Sequence, residues 1–221
     1  MISHKYKCIF IHIPKCAGTS IEIALGHAQA IGRGMQDHRA LRQLIRPIPI
    51  SALTSLENLR LLKILLYRQK TPNPNNHVYP KCNQYRNYFK FTIVRNPWAR
   101  VHSAYKNLAS DPHHRRRYRI PEGMPFDEFL PRHIGEGMLK RQTYWIQDFD
   151  GRIGLDFVGR FENLNEDFAH ACQEMGVEPI PLPHEIRSPN PTHYRDAYSP
   201  ELRDMVARFY RQEIELFGYE W

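Results

Sequence analysis

An apolar run, a loop of small residues and a helical pattern follow one another at the start of this chain. The run covers residues 8–13, the loop covers 14–20, and the apolar spacing of 21–25 is that of a helix. A strand that passes through such a loop into a helix directs backbone N–H groups towards one point, where they bind an anion. This order predicts an α/β fold with a phosphate or sulfate site near its first residues.

The loop does not have the order of the common nucleotide-binding P-loop, G-x-x-x-x-G-K-[ST]. Its lysine, Lys15, precedes Gly18, and the loop has no second glycine. Lys15 supplies a cation, and Thr19 and Ser20 add hydroxyl donors. These side chains favour the binding of an anion, but the loop lacks the residue order with which a P-loop binds the phosphates of ATP. A tight strand-to-helix connection that binds nothing is the alternative interpretation.

A second strand-to-helix passage lies in the middle of the chain. Residues 89–94 predict a buried strand, and Pro97 fits the first turn of a following helix. Arg95 then lies at the carboxyl end of the strand, where open parallel sheets bind their ligands, and Ser103 lies on the helix. A guanidinium suits phosphate because its forked donors bind two oxygens at once.

Both passages resemble one family. Residues 13–20 (Ile-Pro-Lys-Cys-Ala-Gly-Thr-Ser) resemble the 5′-phosphosulfate loop of family 2, or carbohydrate, sulfotransferases, and Arg95-x-Pro97-x-x-Arg100-x-x-Ser103 resembles their 3′-phosphate motif. Residues 155–164 and 194–219 are similar to the late strand and closing helix of the family. The resemblance implies a P-loop-NTPase-like sulfotransferase fold, in which residues 1–221 form a single α/β domain with a central parallel sheet flanked by helices.

The resemblance also implies a co-substrate, 3′-phosphoadenosine-5′-phosphosulfate, from which an in-line displacement moves the sulfuryl group. Lys15 is the expected catalytic cation, and Arg100 is expected to be a structural ion-pair partner outside the site. Arg187 and Ser188 are further candidates for phosphate contacts, with an ordinary surface loop as the alternative. The residues expected to bind the donor are Lys15, Cys16, Ala17, Gly18, Thr19, Ser20, Arg95, Ser103, Arg187 and Ser188.

A general base must accept the proton of the attacking hydroxyl, and histidine is the natural type near neutral pH. His38 is the first candidate, because residues 37–44 look similar to a segment that carries the base in relatives, and we expect it at a helix start. His12, at the end of the first strand beside the loop, is the second candidate. A solvated His38 and a His12 bound within the sheet edge are the alternatives. No Cys/His spacing indicates zinc, and the family needs no metal, so none is expected.

The net charge of +8 favours anionic partners. A polyanionic donor or an anionic glycan explains this charge as well as nucleic acid does. The resemblance implies a hydroxylated acceptor, in particular a carbohydrate, and no nucleic acid is expected. The basic run 113–119 is either a solvated loop or an acceptor contact. A nucleotide or sugar kinase and a non-catalytic module for anionic glycans or nucleic acid are the alternative functions.

The four cysteines form no CxxC pair, and Cys8 lies in a predicted buried strand, so we expect reduced thiols. A catalytic thiol at Cys16 is a minor alternative to a small loop residue. No apolar segment is long enough to span a bilayer. The pattern predicts a cytoplasmic protein of bacterial type, with a truncated lumenal fragment as the alternative and with no oligomeric state indicated.

The remaining periodicity gives a coarse secondary structure. Asn165 is the expected N-cap of a late helix that Gly176 ends. Five prolines exclude a regular helix from 177–193. Loops are expected at 70–87 and 110–125. Helices are expected at 36–69 with a break at 47–49, and at 126–134, 137–148, 165–175 and 200–217.

Overall fold

The computed structural model describes residues 1–27, 35–53, 55–67, 78–183 and 193–221. The chain divides into two compact units. The first unit comprises Met1–Val94 and Thr143–Ile186, and the second comprises Arg95–Gln142 and Arg187–Trp221. The single domain expected over 1–221 stays a prediction.

The first unit contains a four-stranded sheet whose strands follow one another in chain order. Its strands are β1 (Ile2–Ser3), β2 (Cys8–Ile11), β3 (Phe89–Val94) and β4 (Phe157–Arg160). β2, β3 and β4 are parallel, which agrees with the predicted α/β class, whereas β1 pairs antiparallel with β2. The sheet is therefore mixed rather than wholly parallel. Only residues 4–7 join β1 to β2, which is enough for a hairpin turn but too short for a parallel crossover.

The middle of the sheet is apolar and buried, as the continuous hydrophobic runs predict. Every residue of β2 is buried, and so are the last four residues of β3. Ile11 lies opposite Thr92, whose hydroxyl donates to the Ile11 carbonyl at 2.7 Å. Because β2 and β3 are parallel, they end at the same edge of the sheet, where the chain continues at His12 and Arg95.

Helices follow the strands and make up the second unit. In the described residues, short 3₁₀ turns occur at Ile50–Leu53, Gly137–Leu139, Phe161–Asn163 and Tyr194–Ala197. The α-helices are α1 (Gly18–Ala24), α2 (Leu41–Leu44), α3 (Leu56–Tyr67), α4 (Cys82–Asn87), α5 (Pro97–Ser110), α6 (Pro112–Tyr118), α7 (Phe126–His133), α8 (Gln142–Ile146), α9 (Leu164–Glu174), α10 (Pro200–Phe209) and α11 (Arg211–Phe217).

The second unit has its own hydrophobic core around α5. Helices α6, α7 and α10 pack against α5, and the core contains both aliphatic and aromatic side chains. The phenol ring of Tyr210 is fully buried in this core. The buried members of the cluster include Trp98, Val101, Ala104, Leu108, Phe126, Phe129, Leu130, Leu202 and Val206.

The helix expected from residue 36 is wrong over its first turn. Residues 37–40 are not helical, and α2 begins only at Leu41, after an extended Ala40. His38 therefore lies three residues before a helix rather than at its start. The side chain of Gln43 accepts the Ala40 N–H at 2.8 Å, which stabilises this late helix start.

Two expected loops contain helices. In the stretch 110–125, the side chain of Asp111 accepts the His113 N–H at 2.8 Å and Pro112 occupies the first turn, so the basic run forms α6. In the stretch 70–87, residues 70–77 lie outside the described residues, and α4 begins where the Gln84 side chain accepts the Lys81 N–H at 2.8 Å. The sequence analysis missed both helices because the polar residues that cap them are also typical of loops.

The late helices agree with the pattern more closely. α9 begins one residue before the expected start, with Asn163 rather than Asn165 at its N-cap, and Gly176 with φ 71° follows its end as expected. The helix expected over 200–217 is divided at Tyr210 into α10 and α11. Across the described ranges, none of the helices combines the length and the apolar character that crossing a membrane requires.

Candidate functional site

The loop between β2 and α1 has a left-handed backbone at two residues that carry side chains. φ is 70° at Lys15 and 58° at Ala17, values that residues other than glycine rarely adopt. Between them the Cys16 N–H closes a turn onto the Ile13 carbonyl at 3.4 Å, and the Cys16 side chain is buried. Backbone held in this region costs about 1–3 kcal/mol per residue and is concentrated at ligand sites. Lys15 itself is half-buried.

Helix α1 begins without a side-chain cap. Its N-cap residue is Ala17, whose methyl group accepts no hydrogen bond. The first helical bond runs from the Ile21 N–H to the Ala17 carbonyl at 3.3 Å. The N–H groups of Gly18, Thr19 and Ser20 therefore precede the helical ladder, and they find no acceptor among the described residues. These donors are available to an anion.

Gly18 is required by the ring of His12. A Cβ at position 18 would stand 2.1 Å from Cδ2 and 2.3 Å from Nε2 of His12, which is closer than any side chain tolerates. His12 is only 2 % exposed. The glycine of the loop thus lets the first turn of α1 lie directly on the imidazole that ends the strand.

A buried glutamate on α1 joins His12 to the segment before α2. Nδ1 of His12 lies 3.1 Å from Oε1 of Glu22, and the same oxygen accepts the Asp37 N–H at 2.9 Å. Asp37 in turn accepts from the Arg39 guanidinium, with Nη2 at 2.6 Å. The network fixes the backbone on either side of His38.

His38 lies against His12. Their ring centres are 4.1 Å apart, and Nδ1 of His38 is 3.4 Å from the His12 carbonyl oxygen. His38 is half-buried, and the Trp145 ring lies 6.4 Å away. The structure therefore brings the two candidate bases into contact, which the sequence did not predict, and His12 is the more deeply buried of the two.

The charges of this cluster follow from its burial. Burial, reinforced by the neighbouring His12, lowers the pKa of His38 to about 3. Burial also acts to raise the pKa of Glu22, but attraction to His12 and the hydrogen bonds from His12 and Asp37 outweigh it, so this pKa lies below its ordinary value. At neutral pH His38 is a neutral imidazole and Glu22 is a carboxylate.

In the second unit, a side-chain amide holds the main chain of Arg95. Oε1 of Gln142 accepts the Arg95 N–H at 2.8 Å, and Nε2 of Gln142 donates to the Arg95 carbonyl at 2.9 Å. Glu213 is fully buried and accepts from the Gln142 amide at 3.0 Å and from the Gln142 N–H at 2.5 Å. The backbone of Arg95 is thus fixed, and its side chain is half-buried.

The N-terminus of α5, the helix after Arg95, is capped by a side chain. Oδ1 of Asn96 accepts the N–H groups of Trp98 and Ala99 at 3.1 and 3.3 Å. Ser103 is half-buried further along α5, whereas its neighbour His102 is buried with its ring edge against Phe126, as adjacent helical residues on different faces predict. Arg95 and Ser103, the two residues predicted to bind the 3′-phosphate, are thus both half-buried.

Arg100 has the structural role expected of it, but with different partners. It is fully buried, donates to the carbonyls of Met138 and Lys140 at 3.0 and 2.6 Å, and lies over the Tyr210 ring. The expected ion pair is replaced by two peptide carbonyls and an aromatic face. This arginine ties α5 to the 3₁₀ turn of its own unit.

The remaining candidate residues are Arg187 and Ser188, and a metal ion is the remaining kind of ligand to consider. Arg187 and Ser188 lie outside the described residues. Within the described ranges, no three His, Cys, Asp or Glu side chains are grouped as a metal site would need. None of the four cysteines, all of which are described, forms a disulfide, and Cys82 alone among them is exposed.

The sequence did not single out Glu22, Gln142 or Glu213. Each lies on an amphipathic helix, where a glutamate or glutamine normally indicates a solvent-facing position. The one signal for Glu22 is its position in the run Ile-Glu-Ile-Ala-Leu, four residues after Gly18 and thus on the same helix face. Gln142 and Glu213 are 71 residues apart and no local pattern connects them.

Comparison with known proteins covers the whole chain. The family model described as "Sulfotransferase family" matches residues 1–220. Carbohydrate sulfotransferase 14 of Homo sapiens is 24% identical over 254 residues, which covers 99% of this chain and 59% of that protein. Carbohydrate sulfotransferase 10 of Homo sapiens is 28% identical over 171 residues, or 61% of this chain and 48% of that protein, and the Xenopus laevis protein of that name is 26% identical over 170 residues, or 60% and 48%.

The matches span about half to three-fifths of the length of these curated relatives. No solved structure matches the chain significantly.

Proposed function

Since the chain belongs to the sulfotransferase family, we propose that it moves a sulfuryl group from 3′-phosphoadenosine-5′-phosphosulfate to a hydroxyl group of a carbohydrate. The observation that carries this proposal is the start of α1. There, an uncapped helix follows a left-handed loop, and the half-buried Lys15 lies within that loop. Such a loop suits a sulfated phosphate because its donors need no rearrangement to meet the anion.

The acceptor hydroxyl oxygen attacks sulfur in line with the bridging oxygen of the donor. A new S–O bond forms, the bond from sulfur to the bridging oxygen breaks, and 3′,5′-bisphosphoadenosine leaves with the electron pair. Negative charge then develops on the bridging oxygen, and the Lys15 ammonium is the group we assign to stabilise it. The N–H groups of residues 17–20 would bind the 5′-phosphate and the sulfuryl oxygens.

We assign the 3′-phosphate of the donor to Arg95 and Ser103 on the strength of the motif they share with the family. The clamp of Gln142 on the Arg95 main chain supports this role, because a fixed backbone lowers the entropy that the guanidinium loses on binding. Arg187 and Ser188 remain candidates for further phosphate contacts by the same resemblance.

We assign the general base to His38 rather than to His12. His38 is half-buried, and its neutral ring is ready to accept the hydroxyl proton. His12 is almost fully buried beneath Gly18. The negative charge of a bound donor would raise the pKa of a nearby imidazole and thus make it a stronger base.

The class of acceptor is supported by the relatives and by charge. The similar proteins are named carbohydrate sulfotransferases, and a net charge of +8 suits an anionic glycan as well as the donor. A kinase would need ATP, which the order of residues in the loop does not favour.

Calorimetric titration with 3′,5′-bisphosphoadenosine, beside 5′-AMP and ATP, tests the donor site. We expect tight binding of the bisphosphate and much weaker binding of both controls. Equal affinity for 5′-AMP would remove the 3′-phosphate assignment. A preference for ATP would replace the proposed transfer with a kinase reaction, and heparin binding with a steep salt slope and no nucleotide binding would indicate a non-catalytic module.

A further inference from the structure

Glu22 is a buried carboxylate that contacts both segments carrying a candidate base. Its Oε1 atom lies 3.1 Å from Nδ1 of His12 and 2.9 Å from the N–H of Asp37, the residue before His38. His12 and Glu22 are each 2 % exposed, and Asp37 is fully buried. One carboxylate oxygen thus joins the end of β2, helix α1 and the segment that carries His38.

The hydrogen-bond acceptors determine where the ring protons lie. An ionised carboxylate only accepts, so Nδ1 of His12 carries the proton that it shares with Glu22. A backbone carbonyl also only accepts, and Nδ1 of His38 lies 3.4 Å from the His12 carbonyl oxygen. Nδ1 is therefore the protonated nitrogen of His38, and Nε2 keeps the lone pair that a base needs.

The two rings differ in their access to a substrate. The ring edge of His12 that contains Nε2 faces the main chain of Gly18, where a Cβ would stand only 2.3 Å away. The ring of His38 is half-buried, and its centre is 4.1 Å from that of His12. His12 therefore supports the ring of His38 and does not compete with it for the hydroxyl proton.

We propose that Glu22 is a positioning residue for the transfer: it holds His12 and the Asp37 backbone, and through them it fixes His38 with Nε2 open to the acceptor hydroxyl. This inference rests on the proposed function, in which His38 removes the hydroxyl proton. Glu22 touches no reacting atom. It acts as the buried carboxylate of a catalytic triad acts, by selecting the tautomer and orientation of an imidazole.

A positioning role makes a prediction that simple packing does not. Removing one partner of a buried pair destabilises a protein because the other partner is left unsatisfied, so the folding of each variant is measured beside its rate. Glu22→Leu keeps the volume but removes the acceptor for both His12 and Asp37. Glu22→Gln removes the charge and keeps an acceptor oxygen. If Glu22 only filled space, both variants would behave alike.

The test combines ¹⁵N spectroscopy of histidine-labelled full chain with steady-state rates on the sulfated donor and a carbohydrate acceptor. In the wild-type protein we expect the Nδ1–H tautomer at His38. Glu22→Leu should lose this single tautomer and lower kcat by about 10²-fold, within the range that a general base contributes. The KM for the donor should change by less than about threefold, because donor binding does not use the base.

Two further variants sharpen the test. Glu22→Gln should keep the tautomer and recover most of kcat. Glu57→Gln is the matched control, because Glu57 belongs to the same unit, is 60% exposed, and as glutamine keeps an acceptor oxygen for its buried partner Arg42. It should change neither the tautomer nor kcat.

An Nε2–H tautomer at His38 in the wild-type protein would overturn the inference, whether or not Glu22→Leu folds. A folded Glu22→Leu variant with wild-type kcat would overturn it as well. The tautomer is measured without substrate, so its failure is distinct from failure of the proposed function. The latter would appear as absence of 3′,5′-bisphosphoadenosine binding to the wild-type chain.

Discussion

Helices α1 and α5 follow neighbouring parallel strands, yet they begin in opposite ways. At α5 the side chain of Asn96 accepts two of the first N–H groups, and Pro97 removes another donor. At α1 the N-cap is an alanine in the left-handed region, and no side chain accepts the first N–H groups. One helix start is capped by a side chain, and the other is the one to which we assign the sulfated phosphate of the donor. Two strand-to-helix connections with the same order of elements can thus have different roles.

Among the substitutions that test this contrast, Lys15→Ala is expected to have the largest effect. If Lys15 stabilises the charge that develops on the leaving oxygen, kcat should fall by about 10²–10³-fold. Affinity for 3′,5′-bisphosphoadenosine should change little, since the product lacks the sulfuryl group. Rates and calorimetry on the same preparation measure both. Lys7→Ala is the control, because Lys7 is an exposed lysine that also has a left-handed φ, 48°. An equal loss of rate in both variants would assign the effect to the backbone rather than to the ammonium.

Arg95→Ala tests the side-chain contribution that the α5 passage is proposed to make. Loss of a charge-assisted contact with phosphate corresponds to about 1.5–3 kcal/mol, so affinity for the bisphosphate should fall by about 10–100-fold. Affinity for 5′-AMP should be unchanged, because it has no 3′-phosphate. Arg132→Ala removes an exposed arginine of the same unit, paired with Glu128 at 3.4 Å, and should alter neither affinity. A preference for the bisphosphate that survives Arg95→Ala would refute the assignment.

Gly18→Ala tests how closely the open helix start lies on His12. The added Cβ would need the space of the imidazole, so the free energy of unfolding should fall by about 1–3 kcal/mol. Thermal or urea unfolding measures this change. Gly154→Ala is matched, since its Cβ would meet only the end of the Leu41 side chain at 3.2 Å and should cost much less. Equal stability of the two variants would contradict the contact described for His12.

The smallest expected effect is that of Asn96→Ala, which opens the closed helix start. Loss of this cap should lower the unfolding free energy by about 1 kcal/mol. Asn163→Ala provides the comparison, because Asn163 is the N-cap of α9 but its side chain makes no cap hydrogen bond. That substitution should be nearly neutral in the same unfolding measurement. If both alanine variants lost the same stability, the cap at Asn96 would not be what closes α5.

The sequence predicts the parts of the fold that depend on local pattern. Strand β2 is a continuous apolar run, and β3 alternates before it ends apolar, so both were found. The loop motif at 14–20 was also found, but α1 begins inside it at Gly18. The helices α4 and α6 were missed because their caps are single polar residues within polar stretches. The antiparallel β1 has only two residues, too few to give a period.

The candidate site was predictable only where its residues are close in sequence. His12 and Gly18 share a loop, and His38 was found by resemblance. Glu22 was not, because its burial depends on Asp37, 15 residues away, which needs the fold to bring it near. The sequence analysis missed Gln142 and Glu213 for the same reason, because their partners are distant in sequence. Polar side chains that position other residues carry no local signature, since their partners are main-chain atoms or distant groups.

The hydrogen bonds from Gln142 hold only the main chain of Arg95, whereas the proposed phosphate contact uses its side chain. Gln142 pairs with both the N–H and the carbonyl of residue 95, as a neighbouring strand would, and it makes no use of the guanidinium. The main-chain support of residue 95 therefore does not depend on the identity of its side chain. We expect the nucleotide preference of this protein to be open to redesign at that one position while the clamp, anchored by Glu213, maintains the architecture around it.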